Sequence, residues 1–293
     1  MSSQLAHLSK RIGLPTPEND PLELVPAVPP PAPIPARLTV APAWHTVVLV
    51  AGIIAISVHG AAQISALHGS LNRLATYGFT AAMEAAMLLW VLFGLRLRKT
   101  SFRSLLGNFK FDLRSIAMDL GFALVFWIGS LMVLGALGIA WTGVEAALTH
   151  QLSVTHVAGP TGQAFTPDPS QQKAVHALAQ LAPANAGEVA AWTLLCLFVG
   201  FAEEVIFRGY LQRQFIGWTR GGVIAGVLFS GIVFGAAHAY QGGRNMFLLA
   251  VFGMLFSVLA LFRRSLRAGM LAHSWHDLIA GLALALLKSR HII

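Results

Sequence analysis

Seven runs of about 20 apolar residues, parted by short polar or basic turns, constrain this chain more than any other feature. A helix needs ~20 such residues to cross ~30 Å of hydrocarbon, and lipid offers no partner for an unpaired backbone group. The runs cover 46–67, 74–95, 116–141, 188 through the 200s, 221–239, 245–262 and 268–287, a count of seven within a range of six to eight. The expected fold class is all-α, a polytopic transmembrane helix bundle. Charged residues make up 11% of the chain, far below the roughly 25% of an average soluble domain.

The domain organisation follows from the same pattern. Residues 1–43 hold ten of the fourteen prolines and read as a disordered, partly polyproline arm. Residues 44–142 carry the first three spans, 143–187 a polar extracytoplasmic loop, and 188–293 the remaining helices. The net charge of +8 is set between the spans, densest at Arg96, Arg98, Lys99, Arg103, Lys110 and Arg114. That placement reads as topology rather than nucleic-acid binding: the basic loop and the N-terminus are cytoplasmic, and the chain is a multi-pass protein of the cytoplasmic (inner) membrane. With the first long apolar run about 45 residues in, the first span is expected to do the targeting rather than a cleavable signal peptide. Cys196 is the only cysteine and reads as a small buried hydrophobe. His150, His156 and His176 lack metal-site spacing and read as solvated loop residues.

Within the fourth run, Phe201 to Gly209 carries Glu203, Glu204 and Arg208. A charge at bilayer depth costs at least ~2.5–3.5 kcal/mol, so three together need to pair or to work. Glu204 and Arg208 are four apart, on one helix face, and are expected to pair; Glu203 points about 100° away and has no local partner. Glu204 is thus the structural anion and Glu203 is left for proton transfer. Glu84, midway along the second run, could counter Arg208, touch substrate or face a polar cavity, and is expected to be a structural partner. The stretch Tyr210 to Gln214 turns amphipathic and is expected in the membrane interface. In the fifth run, Gly222, Gly226 and Ser230, and again Gly231 and Gly235, recur at four-residue spacing, as at close helix contacts.

Two further pairs lie on single helix faces: Phe234 with His238, and His273 with Asp277. Glu-Glu-x-x-x-Arg, Phe-x-x-x-His and His-x-x-x-Asn/Asp in successive transmembrane helices resemble the CAAX-protease and bacteriocin-processing family (CPBP, or Abi), which includes the type II CAAX prenyl endopeptidases. The resemblance covers about residues 200–280. It implies an intramembrane endopeptidase acting on a peptide or protein substrate, in which Glu203 with His238 activates a water. His273 and Asp277 would stabilise the oxyanion, and Glu204 with Arg208 would support the site. The chemistry is independently sound, because a carboxylate shielded from water accepts a proton more readily and can return it to a leaving amine. Asp277 departs from the asparagine of the better-known enzymes: an ionised aspartate cannot donate to an oxyanion, which leaves orienting His273 or ligating a metal as its alternatives. His276 reads as incidental.

The favoured mechanism is metal-free. Zinc is the divalent ion that Glu203, His238 and His273 would suit if they converged, which would make the enzyme a zinc-dependent version of the same peptidase. The non-catalytic alternative is a membrane scaffold or bacteriocin-immunity protein. A depth count raises a conflict. Glu203 and His238 lie 17 and 18 residues from Arg220, so a turn there levels them, whereas His273 follows Arg267 by six residues. If the sixth run spans fully, His273 falls at the opposite depth; a short, tilted or re-entrant sixth run, or a misplaced turn, would remove the conflict.

Overall fold

The computed structural model describes residues 39–66, 72–153, 175–176 and 178–291. The expected disordered arm, but for its last residues, and the middle of the polar loop with His156 lie outside them, as does the side chain of His150. Nine helices are used here: α1 (Ala43–Ala66), α2 (Arg73–Leu97), α3 (Phe102–Leu106), α4 (Leu113–Ser153), α5 (Ala186–Glu203), α6 (Gln212–Trp218), α7 (Val223–Ala237), α8 (Gly243–Arg263) and α9 (Arg267–Ser289). A π-helical segment, Glu204–Leu211, joins α5 to α6, and a 3-10 turn, Ala239–Gln241, follows α7. Among the described residues there is no β-strand, only an isolated bridge between Gly107 and Ser265. Among the described residues, six helices are long and apolar enough to cross a membrane, α5 to α6 counting as one; α7, at 15 residues, is shorter. The chain is a multi-pass integral membrane protein.

Local chemistry starts these helices where the apolar runs begin. Asn72 caps α2 by accepting from the Ala75 amide at 3.1 Å. Asn185 accepts from the Glu188 amide at 2.9 Å, and Glu188 turns back to the Ala184 amide at 2.8 Å, a reciprocal cap that satisfies orphan donors. Glu188 also meets Arg73 at 3.3 Å, tying the start of α2 to the start of α5. The third span is longer than expected: α4 has 41 residues, about twice what a bilayer requires, so it projects beyond the hydrocarbon and continues past residue 142 to Ser153.

The bundle encloses the π segment. Every residue from Ala202 to Gln212 is buried. On one side, Tyr210 donates to His45 Nδ1 at 2.7 Å and accepts from Thr46 at 2.8 Å, while His45 Nε2 donates to the Trp90 carbonyl at 2.7 Å, which locks α1 and α2 to it. The stretch Gly209 to Gln214, Arg213 apart, is thus buried within the bundle. Gln214 is fully buried, and its amide both accepts from the Val40 amide at 3.0 Å and donates to the Ala41 carbonyl at 2.7 Å. Its polarity satisfies the chain leading into α1.

The small residues of α7 serve two neighbours. Ser230 donates to the Phe207 carbonyl at 2.8 Å, and Gly226 lies against Gln212 and Ile216. Gly231 and Gly235 instead face α8, where an added Cβ would stand 2.8 Å from the Ala250 carbonyl or 2.4 Å from that of Met246. Both contacts are backbone approaches that a side chain would prevent.

The depth conflict resolves in the last helix. α8 has a full 21 residues, so the sixth run is not short. What differs is where the next turn sits. α9 begins beside Gly209, eleven residues before Arg220 and so about 16 Å from it along the helical path. From there α9 runs antiparallel along α5: Leu266 meets Gly209, Gly269 meets Glu204, Ser274 meets Gly200 and Gly281 meets Trp192.

The Arg263 to Arg267 turn is held at that depth by Asp119 of α4, which the sequence reading passed over. Arg263 reaches Asp119 Oδ1 at 2.7 Å and Arg267 reaches Oδ2 at 2.6 Å; Asp119 and Arg267 are buried. Arg263 also stacks over Phe122 at 4.3 Å and Arg267 over Phe109 at 5.1 Å. These two arginines are thus parts of an internal ion cluster and not only topological charges.

Candidate active site

The π segment opens on the paired glutamates, and its wider turn keeps Glu204 and Arg208 on one side. Arg208 Nη1 lies 2.9 Å from Glu204 Oε1, with both side chains fully buried. The guanidinium is covered by the rings of Phe234 and Phe256, 4.4 and 4.9 Å from its carbon, and donates to the Gly253 carbonyl at 3.3 Å. A planar cation between two aromatic faces is stabilised after it has lost its water. The π-helix is rare and concentrates at functional sites.

α9 adds His273. Gly269 makes this approach feasible, since a Cβ there would stand 2.7 Å from Glu204 Oε2. His273 Nδ1 is 3.2 Å from Glu204 Oε1, so Nδ1–H donates to a carboxylate already held by Arg208. That bond aims the other nitrogen: Nε2 lies 3.4 Å from Glu203 Oε2 and 3.7 Å from Asp277 Oδ2. Glu203 is buried, and its Oε2 has no hydrogen-bond partner among the described residues. The 3.4 Å gap is longer than an ordinary N–H···O bond, so the contact with His273 is electrostatic rather than a closed hydrogen bond.

His238 ends α7. Its Nδ1–H donates to the Phe234 carbonyl at 2.8 Å, which fixes the neutral ring with its unprotonated nitrogen at Nε2. No hydrogen bond joins it to Glu203; it interacts electrostatically with Asp277. The structure therefore brings Glu203, Glu204, Arg208, His273 and Asp277 into direct contact with one another in sequence, with His238 at the rim beside them. Among the described residues, no group of three or more His, Cys, Asp or Glu is arranged to hold a metal ion. Glu203 and His273 touch, but His238, turned by its bond to Phe234, does not complete a three-donor group with them.

Two residues join the site from elements where they were not expected. Glu84, buried in α2, interacts electrostatically with Glu203, His273 and Asp277, and its Oε2 lacks a partner among the described residues. The expected Arg208 counter-charge is Glu204, so Glu84 belongs to the site's carboxylate group instead. Tyr240, in the 3-10 turn, accepts from Gln241 Nε2 at 3.0 Å, packs near His238 and interacts electrostatically with Glu203, Asp277 and Glu84. The signal for Glu84 was its isolation in an apolar run; Tyr240 could have been found as the polar aromatic two residues past the histidine that ends α7. His276 lies against Phe252, 4.8 Å between rings, away from the Glu203 carboxylate.

Residues 185–279 match the family model of the type II CAAX prenyl endopeptidases, Rce1-like. The match covers about a third of the chain. Its limits take in α5, the π segment, α6, α7, α8 and α9 as far as Ile279, the stretch carrying every residue of the glutamate, arginine and histidine cluster except Glu84. No curated protein and no solved structure gives a match to the chain. The matched stretch is one part of a multi-pass membrane protein. The helices ahead of it, α1, α2 and α4, pack around it, and α2 supplies Glu84.

Proposed function

We propose that the chain is an intramembrane endopeptidase of the CAAX-protease type, seated in the cytoplasmic membrane with its N-terminus inside, that hydrolyses a peptide bond with a water activated by Glu203. One observation carries the reading. Glu203 Oε2 is buried, unpartnered and 3.4 Å from an imidazole, and Glu203 has no arginine or lysine beside it, whereas Glu204, although its Oε2 is also unpartnered, is paired through Oε1 with Arg208 and His273. A scaffold has no need for that asymmetry, because an uncompensated carboxylate destabilises a bundle without adding packing.

In the proposed reaction the water donates a proton to Glu203 Oε2 and its oxygen adds to the scissile carbonyl carbon. His238 Nε2, free of its own proton, helps hold that water. The carbonyl oxygen gains the negative charge and lies towards His273 Nε2, which donates when the ring carries both protons; Glu204 keeps the ring oriented through Nδ1. The oxyanion's electron pair then re-forms the carbonyl as the C–N bond breaks, and Glu203 gives its proton to the leaving nitrogen, which restores the carboxylate. Asp277, 3.7 Å from His273 Nε2, orients that ring rather than donating to the oxyanion.

The test is cleavage of a quenched peptide library, with prenylated and unprenylated members, by detergent-purified protein. Glu203→Gln is expected to lower the rate by about 10²–10⁴-fold, the usual contribution of a positioned acid–base group. Activity retained in chelator supports the metal-free route. Loss in chelator with recovery on zinc favours the zinc-dependent version. A folded wild-type protein that cleaves no member refutes the peptidase reading in favour of a scaffold or immunity protein.

A further inference from the structure

A cavity of about 190 Å³ lies among α3, α6 and the α8–α9 turn and is bordered by Arg208 of the Glu204–Arg208 pair. Its apolar walls include Leu105, Leu106, Ile216 and Leu261, and its charged lining is Arg208, Arg213 and Arg264, with no Asp or Glu. Glu204 offsets Arg208, but neither Arg213 nor Arg264 has a carboxylate partner among the described residues. Gln212 donates through Nε2 to the Ser257 carbonyl at 3.2 Å, leaving its buried Oε1 unpartnered, and Arg208 Nε is likewise buried and unpartnered. Two arginines in excess, beside orphaned polar atoms and an apolar wall, describe a site for an anion that carries both a hydroxyl and a hydrocarbon portion.

The place of the cavity narrows its source. Leu105, Leu106 and Gly107 belong to the connection that carries Arg96, Arg98, Lys99, Arg103, Lys110 and Arg114. Such a basic connection faces the cytoplasm, where the leaflet holds the anionic lipids. We propose that the cavity binds the phosphate of an anionic glycerophospholipid from that leaflet. Arg213 and Arg264 pair with the phosphate, Gln212 Oε1 accepts from a headgroup hydroxyl, and the leucine and isoleucine walls meet the start of an acyl chain. The assignment is independent of the peptidase reading. Because Arg208 borders both the cavity and Glu204, an occupied cavity also steadies the pair that orients His273.

The experiment uses the delipidated full chain in neutral detergent, titrated with phosphatidylglycerol, phosphatidylcholine or inorganic phosphate, bound lipid being counted by native mass spectrometry and the unfolding midpoint followed in parallel. One saturable phosphatidylglycerol per chain is expected, with phosphatidylcholine at least about tenfold weaker. The Arg213→Gln/Arg264→Gln variant should bind phosphatidylglycerol about tenfold more weakly, and Ala260→Phe, which fills the cavity with the arginines intact, should do the same. Arg98→Gln/Lys99→Gln, at the same end but outside the cavity, should bind as the wild type does. Phosphatidylglycerol binding that survives both cavity variants, or that falls equally in the Arg98 and Lys99 variant, overturns the site. Inorganic phosphate saturating at the same concentrations overturns the lipid source.

Discussion

Replacing Gly200 by alanine tests whether the closeness of α5 and α9 holds the reaction centre together. A Cβ at this position would lie 2.4 Å from Ser274 Oγ, 2.9 Å from the Ser274 amide nitrogen and 3.1 Å from the Met270 carbonyl oxygen. The hydroxyl can rotate away; the two backbone atoms cannot. Restoring ordinary contact at 3.4 Å requires α9 to retreat by about 0.5 Å, and His273 is the residue next to Ser274. Overpacking of this kind costs about 1–3 kcal/mol. Since a 1 Å misplacement can cost 10²-fold in rate, half that movement predicts roughly a tenfold fall in peptide cleavage. Thermal unfolding of the purified variant should show a midpoint lowered by roughly 2–10 °C. Adding Ser274→Ala removes the oxygen at 2.4 Å but leaves the amide at 2.9 Å, so it should restore only part of either loss. Gly121→Ala, with nothing within 4 Å, is the control and should be neutral or slightly stabilising. An unchanged midpoint and rate in Gly200→Ala would refute the claim that this contact sets the position of His273.

Other consequences can be measured with the same protein. Arg208→Met leaves Glu204 buried without its cation and should destabilise by about 3–5 kcal/mol, whereas pairing it with Glu204→Gln should recover much of that loss in unfolding experiments. Asp119→Asn leaves Arg263 and Arg267 facing each other without a counter-charge and should lower stability by a similar ~3–5 kcal/mol, read in the unfolding midpoint, although Asp119 has no contact with Glu203.

The spans and the local pairs were legible because their causes are local. An apolar run of sufficient length needs no knowledge of its neighbours to be read as a helix, and Glu204 reaches Arg208 within one turn. Even the unforeseen π winding leaves that pair intact. The isolated acid Glu84 was also visible as something needing an explanation, but its partners were not. Its neighbours Glu203, His273 and Asp277 lie more than 100 residues away in the chain. Asp119 escaped notice for a related reason: one acid near the end of an apolar run looks like an interface residue until the two arginines that need it are seen beside it. The glycines of α7 announced close contact, yet only the packed bundle reveals that Gly226 serves α6 while Gly231 and Gly235 serve α8.

From the sequence alone come a membrane-spanning helical bundle, the Glu204–Arg208 pair and the three motifs expected to meet. Tertiary structure decided which histidine faces Glu203: His273 reaches it, while His238 is bound back to its own helix at Phe234. The reason is the relative depth of helices, which no residue encodes by itself. α9 starts beside Gly209 because a missing side chain admits Leu266 there and because Asp119 compensates the arginines carried into the bundle with the turn. Helical periodicity determines the face a side chain presents; contacts between distant segments determine the level at which that face meets its partner.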